Sequence, residues 1–229
     1  GGFLYVLDRA TGKLLSAQPY AKVNWATHVD LATGRPVESD VSKDLRAGKT
    51  VELFPGILGA KNWPHASFNP NTGLLYATTN TVSSTYRFIK LQDYKAGSRY
   101  QGIENISSPI TADTIASHLE AIDPLTGKAK WRTPIKGQQL AAAILTTGGG
   151  LLFTGKLTGE MIALDIDNGK EVWSFKTGSS INAPPITYTH KGVQYVSVQS
   201  GRGGISSARY TQGKVPEGGS VWTFAVMPD

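Results

Sequence analysis

Short apolar runs punctuated by Gly, Asp, Asn and Pro recur along the 229-residue chain. Phe3-Leu4-Tyr5-Val6-Leu7, Leu151-Leu152-Phe153-Thr154, Met161-Ile162-Ala163-Leu164 and Tyr195-Val196-Ser197-Val198 have strand length and sit between turn residues. No stretch carries a sustained amphipathic helical period, which disfavours an α/β fold. Only residues 113–121 have room for a short helical turn. The pattern predicts an all-β protein.

The punctuation is itself periodic. An apolar pair, Asp, two variable residues, Thr or Asn, Gly and a basic residue recur. The unit appears as Val6-Leu7-Asp8-Arg9-Ala10-Thr11-Gly12-Lys13 and as Val29-Asp30-Leu31-Ala32-Thr33-Gly34-Arg35. Phe68-Asn69-Pro70-Asn71-Thr72-Gly73 is a variant with Asn for Asp. The fullest copies are centred on Asp123…Gly127…Trp131 and Asp165…Gly169…Trp173. Such a unit predicts a hairpin. The Asp side chain accepts hydrogen bonds from the turn's own amides, and Gly supplies the positive φ of the reversal. The Trp that follows is placed to wedge between neighbouring sheets.

Asp123 and Asp165 lie 42 residues apart, the length of a four-stranded propeller blade (~40–45 residues). The spacing predicts a β-propeller of four-stranded antiparallel blades. A first strand pair falls in 3–17, a further hairpin or loop in 23–38, and a blade opens in 63–76 and closes in 119–131. Another spans 140–176, and the last opens in 185–198 and closes in 221–226. About four blades with a start inside a strand read as half of an eight-bladed ring. Residues 78–117 form a long insertion between two strands of one blade. Long loops on rigid scaffolds tend to carry function.

Composition narrows the chemistry. The absence of Cys removes disulfides, thiolate metal sites, cysteine nucleophiles and covalent c-type haem from this stretch. The net charge of +6 comes without a dense basic cluster, so no nucleic-acid partner is expected. The longest apolar run, residues 140–145, is far too short for a membrane span. The opening residues have no basic leader and do not read as a signal peptide. His28, His65, His118 and His190 have no metal-ligand spacing. Asp8, Asp123 and Asp165 recur with the turns and are expected to be structural. Gly201-Arg202-Gly203-Gly204 opens no helix and is not a phosphate loop; Arg202 is expected to face water.

The ordered set of motifs resembles the C-terminal half of the pyrroloquinoline quinone (PQQ)-dependent alcohol dehydrogenases. The likeness rests on Gly2-Phe3-Leu4-Tyr5-Val6-Leu7-Asp8-Arg9, Gly59-Ala60-Lys61-Asn62-Trp63-Pro64, Tyr94-Lys95-Ala96-Gly97-Ser98, the Thr-Gly-Lys…Trp repeats, and the segment from Thr187 to Ser200-Gly201-Arg202-Gly203-Gly204. It covers essentially the whole chain.

The resemblance implies PQQ as cofactor, with one wall of its pocket built here. Asn62 matches the asparagine that hydrogen-bonds the quinone, Trp63 a neighbouring pocket residue, and Ile205 a pocket-wall position after Gly203 and Gly204, whose side-chain-free backbone allows a planar cofactor to approach closely. Nearby His65 is a lesser candidate for the channel mouth. Ala141 stands where many members carry a pocket tryptophan, which implies a wider mouth and larger alcohols, polyols or sugars. The catalytic base, the Ca²⁺ or lanthanide ligands and the basic residue that meets the quinone are all implied upstream of residue 1. No catalytic or metal residue is assigned in this chain, and it is not expected to act without the upstream half of the propeller. The implied setting is periplasmic, with a small-molecule alcohol as substrate and a cytochrome c or quinone as electron acceptor. Two other readings stay open at this level. One is a non-catalytic scaffold of the outer-membrane assembly type, and the other is a quinoprotein sugar dehydrogenase.

Overall fold

The computed structural model describes residues 1–111, 113–137, 143–203 and 215–226. Along the chain, β1 (Phe3–Leu7) pairs with β2 (Leu14–Pro19) and β3 (Ala26–Asp30) with β4 (Arg35–Glu38). Helix α1 (Asp40–Arg46) follows, and then β5 (Val51–Leu53). Next come β6 (Ser67–Asn69), β7 (Leu74–Asn80), β8 (Ser84–Phe88), β9 (Ile103–Ser107), β10 (Ile115–Ile122) and β11 (Ala129–Lys136). The last are β12 (Leu145–Thr146), β13 (Leu151–Gly155), β14 (Glu160–Asp165), β15 (Glu171–Lys176), β16 (Ile186–His190), β17 (Val193–Gly201) and β18 (Gly219–Ala225). All strand registers given among the described residues are antiparallel.

The chain divides into two compact units. The first comprises Gly1–Ala60, Asn80–Ile110 and Pro124–Gly127. It carries the β1–β2 and β3–β4 hairpins and the sheet β5-β8-β9. Its core is Phe3, Ala17, Ala26 and Val29, with Trp25 edge-on to Phe3. Helix α1 starts at Ser39, whose hydroxyl accepts from the Ser42 amide, and it buries no residue. The helix is an addition to the sequence expectation, and the place where a helical turn had room, 113–121, is strand β10 instead. β10 is buried along nearly its whole length while β11 alternates between half-buried and exposed positions, and their long pairing satisfies more backbone than an isolated turn would. The 78–117 segment likewise holds β8 and β9 and is not a bare loop.

The second unit holds Lys61–Thr79, Thr111–Asp123 and Lys128–Asp229. It contains sheets ordered β11-β10-β7-β6, β12-β13-β14-β15 and β16-β17-β18. Two of these are the four-stranded antiparallel blades the repeat spacing predicts. Tyr76, Leu119, Ala121, Ile144, Leu152, Ile162, Leu164 and Ile166 form one buried cluster. Met161, Ile181, Val196 and Val198 form another, with Phe153, Trp222 and Phe224 packed on it. Glu120, 1% exposed, is the one buried carboxylate among the described residues. It is neutralised by the forked Arg132 guanidinium at 3.1 Å and accepts from the Thr79 hydroxyl at 2.5 Å.

The repeat turns share one geometry. Gly12, Gly34, Gly73, Gly127 and Gly169 have φ between 69° and 71°. Asp8 Oδ1 accepts from the Ala10 and Thr11 amides at 3.0 and 2.8 Å, Asp30 from Ala32, Asn69 from Asn71, and Asp165 from Asp167. The Thr11 hydroxyl and amide hold the Asp8 carboxyl below its ordinary value. These carboxylates are occupied with their own turns, as the sequence implied.

Candidate functional site

Residues 61–66 lead into β6, the edge strand of its sheet. Lys61 Nζ donates to the Pro64 carbonyl at 2.8 Å and to the Asn62 carbonyl at 3.2 Å. Burial pushes this amine below its usual value, and the two carbonyls brace the turn. Asn62 Oδ1 accepts from the neighbouring Trp63 amide at 2.8 Å, a local side-chain-to-backbone bond. The braced turn presents the Trp63 ring, half exposed at 50%.

Trp63 forms one side of an open cleft of about 670 Å³ in the second unit. That size falls within the ~300–1,000 Å³ range of ligand pockets. The other walls come from Asn182 and Ala183 before β16, from Gln199 to Gly203 at the end of β17, and from Gly218 to Val221 at the start of β18. A buried hydroxyl network holds the β17 wall. Ser200 Oγ lies 2.7 Å from Thr177 Oγ1 and donates to the Ser179 carbonyl at 3.0 Å. The Gly201 amide donates to the Ser180 carbonyl at 2.8 Å, and the Ser179 hydroxyl donates to the Pro216 carbonyl at 2.8 Å. A Cβ on Gly201 would lie 2.7 Å from the Gly218 carbonyl oxygen, so only glycine lets the two wall segments meet.

Arg202 lines the cleft and pairs with Glu217 at 2.5 Å, its side chain only 26% exposed. It therefore leans on a carboxylate at the cleft and does not simply face water. Asn182 Oδ1 is buried with no hydrogen-bond partner. An unpaired buried amide oxygen costs about 1–3 kcal/mol, so its place in the wall calls for a partner such as a water, an ion or a ligand. A flat ring, a guanidinium, glycine backbone and an unsatisfied amide together suit a planar, anionic ligand with polar edges.

Of the sequence-derived residues, Trp63 and the Gly203 backbone meet at this cleft. Asn62 stands beside it, fixing the Trp63 turn. Ala141, Gly204 and Ile205 lie outside the described residues. His65 is exposed, and its carbonyl accepts from the Ile144 amide at 3.0 Å. Sequence reasoning passed over Asn182, although Asn182-Ala183-Pro184 repeats the form of Asn62-Trp63-Pro64. Among the described residues no group of three or more His, Asp or Glu side chains is arranged to hold a metal ion. No described helix is long and apolar enough to cross a membrane.

Four-stranded antiparallel blades of this kind define a β-propeller. Comparison with known proteins sharpens this. The chain is 39% identical over 242 residues to the quinoprotein ethanol dehydrogenase of Pseudomonas putida, covering 98% of this chain and 38% of that protein. Its fold matches a europium-containing methanol dehydrogenase with a TM-score of 0.84 at 31% identity, over 98% of this chain and 43% of that one. It also matches the quinohemoprotein alcohol dehydrogenase of Comamonas testosteroni with a TM-score of 0.83 at 31% identity, over the whole of this chain and 35% of that one. A family model described as outer membrane protein assembly factor BamB matches residues 116–224. The chain belongs to the PQQ quinoprotein alcohol dehydrogenases by sequence and by fold. It spans well under half the length of the relatives named here.

Proposed function

We propose that the chain builds part of the PQQ site of a dehydrogenase that oxidises alcohols to aldehydes or ketones. The observation that carries this is the cleft joining Trp63, Asn182, Arg202 and the Gly201–Gly203 backbone, in a chain related over nearly all its length to quinoprotein ethanol dehydrogenase. The residues fit such a group. The unpartnered Asn182 oxygen awaits a donor, and the Arg202 guanidinium offers charge to ring carboxylates.

When bound, PQQ supplies the two-electron chemistry that takes a hydride equivalent from the alcohol carbon. The chain's own residues bind and orient. Trp63 gives a flat apolar wall that also excludes water, while Lys61 and Asn62 hold its turn. The Gly201–Gly203 backbone permits close approach. As the resemblance implies, Asn62 would meet the quinone edge, and Ala141, Gly204 and Ile205 would be further pocket residues. The proton-abstracting carboxylate and the Ca²⁺ or lanthanide ligands belong to parts of the protein that this chain does not cover. The acceptor is a periplasmic cytochrome c or a quinone, and Ala141 in place of a bulky ring admits larger alcohols or polyols.

The scaffold reading is the weaker one. The assembly-factor match begins at residue 116, beyond Asn62 and Trp63, and covers the docking repeats common to both classes. Titrating PQQ with Ca²⁺ or La³⁺ into the full-length protein tests the proposal. Tryptophan fluorescence reports binding, and dye reduction reports turnover of ethanol against bulkier alcohols. Quenching should saturate, and Trp63→Ala should raise the PQQ Kd about tenfold, equivalent to about 1.4 kcal/mol. A protein that shows no PQQ-dependent quenching is not this enzyme. Strict preference for methanol would remove the wide-mouth reading.

A further inference from the structure

The cleft contains a residue that the family resemblance did not supply. Asn182-Ala183-Pro184 precedes β16 as Asn62-Trp63-Pro64 precedes β6. Each strand stands at the end of its sheet's order, β6 in β11-β10-β7-β6 and β16 in β16-β17-β18. The two Asn-x-Pro elements thus occupy matching places in two sheets of the same unit. Their side chains are used differently. Asn62 Oδ1 is engaged by the Trp63 amide at 2.8 Å, whereas Asn182 Oδ1 is buried without a partner in the wall of the cleft.

We propose that Asn182 is a second amide contact for the planar ligand of this cleft, accepting a hydrogen bond from an N–H of that ligand. This rests on the PQQ reading above and extends it by one residue. The chemistry is selective. With its carboxyl groups ionised, PQQ presents a single N–H, on the pyrrole ring, and acceptors elsewhere. Arg202 suits the anionic groups, and an amide oxygen suits the lone donor. The terminal torsion of an asparagine is broad and roughly two-fold, so the unpaired oxygen can turn onto a donor offered from the cleft. The buried neighbours Thr177, Ser179 and Ser200 cannot take the role. Their hydroxyls already donate or accept within the wall.

The test uses the full-length protein and PQQ itself, read by tryptophan quenching and by melting without cofactor. Asn182→Leu, close in size and lacking polar atoms, should raise the PQQ Kd about tenfold. Its Tm without cofactor should stay level or rise, because an unsatisfied buried oxygen has been removed. Asn182→Asp should weaken binding further, and the added loss should shrink as salt is raised, since a carboxylate would then face a polyanion. A purely structural asparagine would give the opposite split, a lower Tm and an unchanged Kd for both variants, and would overturn the proposal. Should Asn182→Leu fail to fold, the Kd and salt response of Asn182→Asp decide alone. If the parent protein binds no PQQ, the PQQ reading falls and this inference with it. If the parent binds and both variants bind equally well, only Asn182 loses its role.

Discussion

Two sheet junctions in the second unit use the same repeat residue in different ways. At the first, Trp131 of β11 reaches the turn after β14. Its Nε1 donates to the Ile166 carbonyl at 2.8 Å, its ring tilts against Tyr76 at 6.0 Å, and its face lies over Gly169. At the second, Trp173 of β15 is 37% exposed and meets Phe224 edge-on at 5.0 Å. Phe175 there lies 5.0 Å from Trp222 and 5.1 Å from Phe224. The first junction is a lock with a hydrogen bond and a glycine seat, while the second is a patch of ring contacts. The receiving partner makes the difference. The turn Asp165-Ile166-Asp167-Asn168-Gly169 provides a carbonyl and a side-chain-free seat, whereas Trp173 meets strand β18 and its aromatic rings. A docking residue is therefore only as specific as the turn it docks on.

The largest break of this comparison falls at the glycine seat. Gly169 has φ +71°, and a Cβ there would lie 2.6 Å from the Trp131 ring. Gly12 has the same φ and nothing within 4 Å of its would-be Cβ. Gly169→Ala should cost about 3 kcal/mol, left-handed strain plus overpacking, while Gly12→Ala should cost about 1 kcal/mol. Urea melts of the two variants measure the gap, and equal losses would mean the seat is not loaded. Next in size, Trp131→Phe should cost about 2 kcal/mol through the lost hydrogen bond and volume. Trp173→Phe should stay within about 1 kcal/mol. Matching losses would erase the distinction between the junctions.

The smallest effect separates the two sheets by pH. His118 of β10 has a buried Nδ1 with no hydrogen-bond partner. Burial, then the nearby Arg132 charge, pushes its pKa below the ordinary value of 6.5, against a smaller pull from Glu120. The folded state thus binds the proton less readily than the unfolded one. Its contribution is intact above about pH 6.5 and declines as pH falls toward the lowered pKa. Tm followed from about pH 7 to about pH 5 should fall less steeply in His118→Gln than in the parent. Parallel curves would show that another group sets the slope.

Much of this was legible in the chain itself. The Asp…Gly spacing foretold the turns, because Asp side chains and a positive-φ glycine form a turn from local contacts alone. Trp131 was legible as a wedge for the same reason, its place relative to Gly127 being fixed by a short hairpin. The closing hairpin at 119–131 was legible as well, but not the start of its first strand at Ile115, nor the sheet built by β5, β8 and β9, in which β5 pairs with a strand far along the chain. Arg202 was read as solvent-facing because Glu217, its partner, lies across the β17–β18 connection.

The sequence by itself determined the class of fold, the repeat turns and the Asn62-Trp63 element, all properties of neighbours within a few residues. Only the tertiary structure decided the cleft. Trp63 and Asn182 are 119 residues apart in the chain, and nothing local says that they face one space. Which asparagine is satisfied and which is left waiting is likewise a matter of three-dimensional partners. Asn62 finds its partner in the next amide, whereas Asn182 sits where the wall offers its oxygen none.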